Sequence, residues 1–395
     1  MTDFTATRAL FQLPEGLTYL DGNSLGPMSR AVPNRVALTI QSEWGQELIR
    51  AWNSAGWMEM PDRLGNRLAP LIGAAPGTVS TGDTLSIKVH QALSAALSLT
   101  PRKVILSDTG NFPTDLYIAQ GIVDALDRGL ELRCVPPEDI EAHLTDEIAV
   151  LMLTEVDYRT GRRHDMARMS RIARDHGILT LWDLAHSAGA FPVDSAAHAD
   201  FAVGCSYKYL NSGPGGPAFI AVPDAVANRI RPALPGWLGH AAPFAFDLDY
   251  RPANAARRFR VGTPPILQMA ALDAALDAWD GVSLDDVRSR SLTLSHRLID
   301  GVEAACPALT LASPRDDAQR GSQISFRHPD AYAICQALIA HDVIGDFRAP
   351  DILRFGITPL YIDESDIHTA VSTLSRIMDG RLYDDPRFRS RNAVT

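Results

Sequence analysis

Residues 201–217 read FAVGCSYKYLNSGPGGP, and this stretch decides how the rest of the chain is interpreted. An apolar run typical of a buried strand leads to Lys208, and a turn with three glycines follows. A lone loop lysine is usually solvated, but a glycine-rich turn lets the backbone approach a bound molecule closely. A lysine amine at the end of a buried strand can form a Schiff base with an aldehyde. The stretch alone fits either a reactive lysine or a surface loop.

The sequence on either side of this stretch alternates short apolar runs with amphipathic segments. Such alternation predicts a mostly parallel sheet covered by helices, in which ligands bind beyond the carboxyl ends of the strands. Residues 148–153 are all apolar, which is typical of a strand buried on both faces. The predicted strands are 103–107, 130–135, 147–154, 178–183, 201–206 and 218–222, and the predicted helices are 114–128 and 166–176.

The C-terminal part of the chain has more helical periodicity and predicts a second, smaller α+β unit. A chain of 395 residues fits two such domains. We expect a large domain over 49–280 and a small domain formed by 1–48 together with 281–395. The elements predicted here are helices over 272–279, 284–306 and 331–340 and strands over 323–326 and 352–356.

Composition and charge exclude several classes of protein. With 37 basic and 47 acidic residues the net charge is −10, and no basic face for nucleic acid is evident. No stretch is apolar enough to span a membrane and the N-terminus lacks a secretory signal, so we expect a cytoplasmic protein. The four cysteines have neither CxxC nor zinc-site spacing, and we expect them to be buried and reduced.

Asp183 ends a predicted strand 25 residues before Lys208. Since ligands lie beyond the strand ends of a parallel sheet, the acid and the lysine can reach one crevice. Pyridoxal phosphate (PLP) requires a carboxylate at its pyridine nitrogen, which keeps the ring protonated. Alone, Asp183 would be interpreted as a helix cap. Its pairing with Lys208 favours a role in binding PLP.

A phosphate site is predicted at residues 81–87, TGDTLSI, which lead into an apolar helix expected over 88–99. Hydroxyl groups and free backbone N–H groups at the start of a helix bind phosphate. Simple capping by Thr84 or Ser86 explains the same pattern, and this segment alone does not distinguish the two.

Residues 111–115, NFPTD, lie between a predicted strand and a predicted helix. Phe112 is placed to stack on a cofactor ring, and Asp115 is placed to form a hydrogen bond with it. A turn with Thr114 as the helix cap is the alternative.

Together these segments resemble the kynureninases, within the aspartate aminotransferase superfamily of fold-type-I PLP enzymes. The combination of Asp-x-x-His with Tyr-Lys-Tyr-Leu-Asn is much more specific than a lone lysine or a glycine loop. The resemblance implies a PLP-dependent hydrolysis of L-kynurenine to anthranilate and L-alanine. The motifs that carry it are YLDGNSLGP at 19–27, NFPTD at 111–115, DLAH at 183–186, SYKYLN at 206–211, Trp237, GTPP at 262–265 and RFG at 354–356.

The resemblance also implies roles for single residues. Lys208 bonds to PLP and removes the substrate α-proton, and Tyr207 is a further acid/base. Trp237 and Thr263 come from a partner subunit, which implies a homodimer with shared active sites. The implied PLP-binding residues are Leu85, Ser86, Phe112, Asp115, Thr154, Asp183, His186, Tyr207, Lys208, Trp237 and Thr263.

For the substrate, the resemblance implies that Arg354 binds the α-carboxylate, since a planar guanidinium suits bidentate contact. The other implied substrate residues are Asn23, Ser24 and Trp52, with Trp57 as the alternative to Trp52. The Gly-Thr pair at 262–263 is similar to bacterial members and implies a preference for kynurenine over 3-hydroxykynurenine. Whether the reaction serves tryptophan breakdown or NAD synthesis stays open, as does any need for an ion.

Two other functions were weighed against this one. A cysteine desulfurase or another carbon–sulfur lyase needs a reactive cysteine on a mobile loop. Cys335 falls in a predicted helix and Cys306 adjoins a proline, so neither fits that role. A non-catalytic PLP-binding protein would keep Lys208 and Asp183 but lose Tyr207 or Arg354, and both are present.

Overall fold

The computed structural model describes residues 1–390. The strands form a seven-stranded sheet, a four-stranded sheet and a two-stranded pair. They are β1 (Thr18–Tyr19), β2 (Val79–Thr81), β3 (Val104–Asp108), β4 (Glu131–Val135), β5 (Ile148–Thr154), β6 (Leu179–Asp183), β7 (Phe201–Gly204), β8 (Phe219–Ala221), β9 (Thr310–Leu311), β10 (Gln323–Arg327), β11 (Val343–Ile344), β12 (Asp346–Arg348) and β13 (Ile352–Gly356).

The α-helices surround these sheets, and a π-helical segment, Thr39–Glu47, follows the second of them. They are α1 (Phe4–Ala9), α2 (Val32–Leu38), α3 (Ala51–Ser54), α4 (Met60–Leu68), α5 (Leu85–Ser98), α6 (Pro113–Leu126), α7 (Met166–Asp175), α8 (Ser195–His198), α9 (Asp224–Ala227), α10 (Ile266–Leu276), α11 (Leu284–Ala305), α12 (Ala331–Ile339) and α13 (Glu364–Asp379). No helix in residues 1–390 has the length and apolar character needed to cross a bilayer.

The large sheet has the strand order β2-β8-β7-β6-β5-β3-β4. Strands β3 to β7 run parallel to one another, whereas β8 runs antiparallel to both β7 and β2. The prediction of a mostly parallel sheet is therefore confirmed. The sheet is covered on both faces: along β5, Leu151 and Leu153 belong to one apolar core, while Val150 and Met152 belong to the other. This alternation follows from the two-residue repeat of a strand.

The C-terminal region forms a separate antiparallel sheet in the order β12-β13-β10-β9, with α11, α12 and α13 packed around it. Strand β1 pairs in parallel with β11, which ties the N-terminal segment to this unit. The smaller α+β unit expected from the sequence is therefore present. The long loop after β5 reaches this sheet, because the hydroxyl of Ser325 on β10 donates to the Arg159 carbonyl at 2.6 Å.

Most predicted elements have the expected type, with bounds shifted by a few residues. The strand predicted over 201–206 ends at Gly204, so Lys208 lies in a loop beyond it. The helices predicted from 88 and from 272 begin earlier, at Leu85 and Ile266. One expectation about the cysteines is wrong: Cys134 on β4 is exposed, because that strand lies at the edge of the sheet. The other cysteines are buried, and all four are free thiols.

Candidate active site at the strand ends

Lys208 lies in the loop after β7, and polar contacts fix that loop. The buried Ser206 hydroxyl donates to the Pro217 carbonyl at 2.5 Å, and the Gly26 amide donates to the Tyr207 carbonyl at 2.8 Å. A Cβ at Gly26 would lie 2.3 Å from the Lys208 carbonyl oxygen, so only glycine allows the N-terminal segment to pack here. The backbone at Lys208 is thus held between two segments distant in sequence.

His186, in the loop after β6, is the direct neighbour of the Lys208 amine. Its Nε2 lies 3.0 Å from Lys208 Nζ. Burial, and then the charge of Lys208, lower the pKa of His186 well below its ordinary value, so the ring is neutral. Nε2 therefore accepts a hydrogen bond from Lys208 Nζ, which assigns the ring proton to Nδ1. Nδ1 is buried without a hydrogen-bond partner among residues 1–390, and a bound molecule would supply the missing acceptor.

Asp183 and Asp115 form a buried pair of carboxyl groups beside this contact. Burial raises the pKa of Asp183 to about 6, although the charge of Lys208 opposes the shift. Burial and the charge of Asp183 raise the pKa of Asp115 well above its usual range. The two carboxyl groups titrate as a pair, and the larger rise in pKa on Asp115 favours placing the negative charge on Asp183. The residues after Asp183 form turns, which removes the alternative of a helix cap.

Thr154, the last residue of β5, lies next to Asp183 in the strand register. Its hydroxyl donates to Oδ1 of Asn111, and the same oxygen accepts the Phe112 amide at 2.7 Å. Phe112 is 40% exposed, and its ring packs edge-on against the Tyr158 ring with centroids 5.2 Å apart. One asparagine therefore holds both the strand-end hydroxyl and the aromatic residue at the same edge of the sheet.

Neither helix that starts beside the site uses a side-chain cap. Helix α5 begins at Leu85 after Thr84, and α6 begins at Pro113 after Phe112, in both cases without a cap hydrogen bond. The alternatives of capping by Thr84 or Thr114 are therefore wrong. Because no cap occupies the first amides of α5, those of Leu85 and the following residue remain open to an anion.

Lys88, one turn into α5, does not contribute its charge to that helix start. It is fully buried and donates to Asp83 at 2.9 Å, to Gln91 at 3.1 Å and to the Phe259 carbonyl at 3.2 Å. A lysine with its contacts satisfied in this way ties the segment before residue 260 to α5.

Arg354 on β13 and Asp346 on β12 face each other across the small sheet, and both are 1% exposed. The Arg354 guanidinium donates to Asp346, to the Ser24 hydroxyl at 2.7 Å and to the Tyr158 carbonyl. Its Nε has no partner among residues 1–390. Arg354 is therefore buried and directed, as expected, and Tyr158 links it to Phe112.

Other predicted residues occupy less direct positions. Asn23 is fully buried, and neither atom of its amide has a partner in the described part of the chain. Trp57 is a core residue whose Nε1 donates to Glu43 at 2.9 Å, and Trp52 packs edge-on against it at 5.7 Å. Trp52 is the more accessible of the two tryptophans. The neighbouring Cys205 thiol and burial raise the pKa of Tyr207, so its phenol stays protonated.

Trp237 and Thr263 lie outside the contacts that surround Lys208. Trp237 is 40% exposed and packs against Phe244 with ring centroids 5.8 Å apart, and Thr263 is exposed. Both side chains thus face away from the interior of their own chain.

Sequence reasoning missed three residues at the site: Tyr158, Asp346 and Arg348. Tyr158 follows the strongest strand signal in the chain but sits in a loop without a motif. Asp346 and Arg348 lie on a three-residue strand, too short for a periodic pattern. The sequence does offer one signal: Asp346 and Arg348 are two residues apart, a few residues before the Arg-Phe-Gly motif.

Comparisons with known proteins agree with this geometry. Residues 287–374 match the model of the kynureninase C-terminal domain. A kynureninase of Deinococcus radiodurans is 49% identical over 94% of this chain and 92% of its own length. A kynureninase of Burkholderia pseudomallei is 50% identical over 98% of this chain and 95% of its own.

Two solved structures share the fold at lower identity. The cysteine desulfurase of Thermococcus onnurineus NA1 is 18% identical, with a TM-score of 0.81 over 96% of this chain and 99% of its own. A C-DES variant with glycine covalently linked to its PLP cofactor is 20% identical, with a TM-score of 0.81 over 95% of this chain and 99% of its own. The fold is thus that of the fold-type-I PLP enzymes, and the near-full-length matches at about half identity establish that the chain belongs to the kynureninase family.

Proposed function

We propose that this protein is a PLP-dependent kynureninase that hydrolyses L-kynurenine to anthranilate and L-alanine, with 3-hydroxykynurenine as a weaker substrate. The observation that carries the proposal is the contact of Lys208 with neutral His186 beside the Asp183–Asp115 pair. This arrangement occurs in a chain about half identical to kynureninases over nearly its whole length.

The residues at the strand ends fit PLP. The open amides of α5 suit its phosphate, the exposed face of Phe112 suits its ring, and the unpartnered Nδ1 of His186 is a donor without an acceptor. When bound, PLP supplies an electron-withdrawing ring that stabilises negative charge at the substrate Cα. The residues that would hold it are Leu85, Ser86, Phe112, Asp115, Thr154, Asp183, His186, Tyr207 and Lys208, with Trp237 and Thr263 of a second subunit.

The protein's own groups divide the proton chemistry. With PLP bound, Asp183, as the charged member of the pair, would hold a proton at the ring nitrogen. The Lys208 amine removes the substrate α-proton, and neutral His186 receives a hydrogen bond from it without competing as a cation. Tyr207 keeps its phenolic proton at neutral pH and can donate it when water has added to the γ-carbonyl and the Cβ–Cγ bond breaks.

Arg354 is the proposed contact for the substrate α-carboxylate, because its buried Nε still lacks an acceptor. Ser24 donates to Asp346 at 2.9 Å and accepts from Arg354, so it holds the guanidinium in place. Asn23 offers a buried amide with unused donors and acceptors at the same side. Trp52 is the proposed aromatic neighbour of the substrate ring, since Trp57 is committed to the core.

We also propose a homodimer with shared sites, two domains and a cytoplasmic location. The exposed positions of Trp237 and Thr263 support sharing, because they are available to a second subunit. The separate sheets support a division into 49–280 and a small domain of 1–48 with 281–395, of which the last five residues lie outside the described part.

The first test is an absorbance spectrum of the purified protein before and after addition of L-kynurenine, with Lys208→Ala alongside. We expect a visible PLP band that the variant lacks, and fluorescent anthranilate from the wild type alone. A visible band without anthranilate would support PLP binding but reject the hydrolysis of kynurenine. No band after addition of PLP would reject both.

A desulfurase is the alternative that the structural neighbours raise, and they share only the fold at this identity. Cys306 and Cys335 are buried, and Cys134 lies on the edge strand β4 rather than on a loop. We expect no sulfide release from L-cysteine above the level of the Lys208→Ala variant.

A further inference from the structure

Arg348 places a second guanidinium beside Arg354. Residues two apart on a strand share a face, so Asp346 and Arg348 of β12 point to one side, and Arg354 joins them because it pairs with Asp346 across the sheet. Arg348 lies 2.8 Å from Asp346 Oδ2 and 3.3 Å from the Ser24 hydroxyl. One carboxylate thus lies between two arginines.

The two arginines differ in what they can reach. The Arg354 side chain is 1% exposed, and its two terminal NH2 groups already donate to Asp346, Ser24 and Tyr158, which leaves only Nε. The Arg348 side chain is 34% exposed. Its charge also acts on the crevice, because Arg348 is one of the groups that lower the pKa of His186, after burial, Lys208 and Arg354.

Charge balance gives Arg348 a separate role. Arg354 and Asp346 cancel each other, and such a pair has little net attraction for an anion. Asp21 is also close: burial, and then the charge of Asp346, raise its pKa to about 7, so it adds negative charge at higher pH. With Asp21 protonated, the two arginines exceed Asp346 by one positive charge, so below the pKa of Asp21 the cluster is net positive only because Arg348 is present.

We infer that Arg348 is a substrate-binding residue that contacts the α-carboxylate together with Arg354 and supplies the net positive charge that selects amino acids over their carboxamides. This inference rests on the proposed function, since it names a residue for the substrate of that site.

The test compares L-kynurenine with its α-carboxamide for the wild type and Arg348→Gln. We expect the variant to raise KM for kynurenine about tenfold, as for one lost hydrogen bond to a charged group, with kcat changed less than about threefold. KM for the carboxamide should stay unchanged. Arg348→Lys keeps the charge and should remain within about threefold of wild type. Arg327→Gln is the matched control, because Arg327 lies on β10 with its side chain 47% exposed and pairs with Asp351.

An unchanged KM for kynurenine in Arg348→Gln, or an equal rise for acid and carboxamide, would overturn the inference. A second measurement needs neither turnover nor a stable variant: the spectral change of the wild-type holoenzyme on binding L-alanine or L-alaninamide. We expect at least about tenfold tighter binding of the acid, and equal binding would also overturn the inference. If the wild type makes no anthranilate but prefers the acid, and Arg348→Gln loses that preference, the proposed function fails while Arg348 keeps its role.

Discussion

At the scale of single residues, Asp115 and Asp183 form one buried pair of carboxyl groups, and the two differ in protonation. Asp183 carries the charge, whereas Asp115 keeps a proton and resembles an amide in its hydrogen bonding. We therefore expect Asp183→Asn to lower kcat/KM on the order of a thousandfold, as for the loss of a preorganised charge, and to weaken PLP binding. Asp115→Asn should cost no more than about tenfold.

Absorbance titration with PLP and initial rates of anthranilate formation measure both effects. Asp115→Ser is the control, because it removes both the volume and the hydrogen-bonding group that Asp115→Asn preserves. If Asp115→Asn were as damaging as Asp183→Asn, the assignment of the negative charge to Asp183 alone would be wrong.

The same burial predicts how the stability of the cofactor-free protein depends on pH. The folded pKa of Asp183 is about 6, above its ordinary value of about 4, so the folded state binds more protons in this range. Protonated Asp183 therefore stabilises the folded state fully below about pH 4, and this stabilisation is lost as pH rises through 6. Between about pH 5 and 8 the free energy of unfolding of the wild type should fall by roughly 1 kcal/mol relative to that of Asp183→Asn, which corresponds to about 2 °C in Tm. Calorimetry measures Tm of both proteins as a function of pH. If Tm of the wild type and of Asp183→Asn changed with pH in the same way, Asp183 would not titrate as a buried acid.

At the scale of elements, burial on both faces made the central strands predictable. The apolar run of β5 was predicted within one residue, because a strand inside a parallel sheet has no polar face. The edge pairing of β2 with β8 and the short strand β12 were not predictable, because two or three residues carry no period. Helix α10 begins at Ile266, directly after Pro265 and six residues before the predicted start.

The same limit applies to the site. Lys208, Asp183 and His186 were found because each follows a recognisable strand within a motif. Tyr158 was missed because its contacts with Phe112 and Arg354 join segments that no local pattern relates.

The turn after β5 links the two sheets, and Gly161 is the residue on which it depends. Its φ is +72°, and a Cβ there would lie 2.7 Å from the Gln323 carbonyl oxygen. The Gln323 amide donates at 3.1 Å to the carbonyls of Asp157 and Tyr158, and the latter also accepts from Arg354. We expect Gly161→Ala to destabilise the protein by about 1–3 kcal/mol and to raise KM for kynurenine more than it lowers kcat.

Thermal unfolding and steady-state kinetics measure the two effects. Gly121→Ala is the matched control, since a Cβ at that position in α6 meets nothing within 4 Å and alanine favours a helix. A Gly161→Ala enzyme with unchanged KM would show that the turn does not position Arg354.

At the scale of the whole molecule, several large apolar side chains in the described part of the chain are exposed. Trp44, Ile49, Phe246 and Leu248 are between 57% and 103% exposed. Contiguous exposed apolar surface marks association sites, and a second copy of the chain is the occupant that the proposed shared site requires.

Subunit mixing tests whether that association completes the active site. Lys208→Ala lacks the lysine, and Trp237→Ala/Thr263→Ala lacks the groups proposed to come from the partner; each variant alone should have little activity. A heterodimer of the two has one site with Lys208 from one subunit and intact Trp237 and Thr263 from the other. Random mixing gives half heterodimers with one intact site of two, so activity should recover to about a quarter of wild type. If instead each subunit supplies all of its own groups, the mixture should show only the average of the two variants, because neither chain then repairs the other.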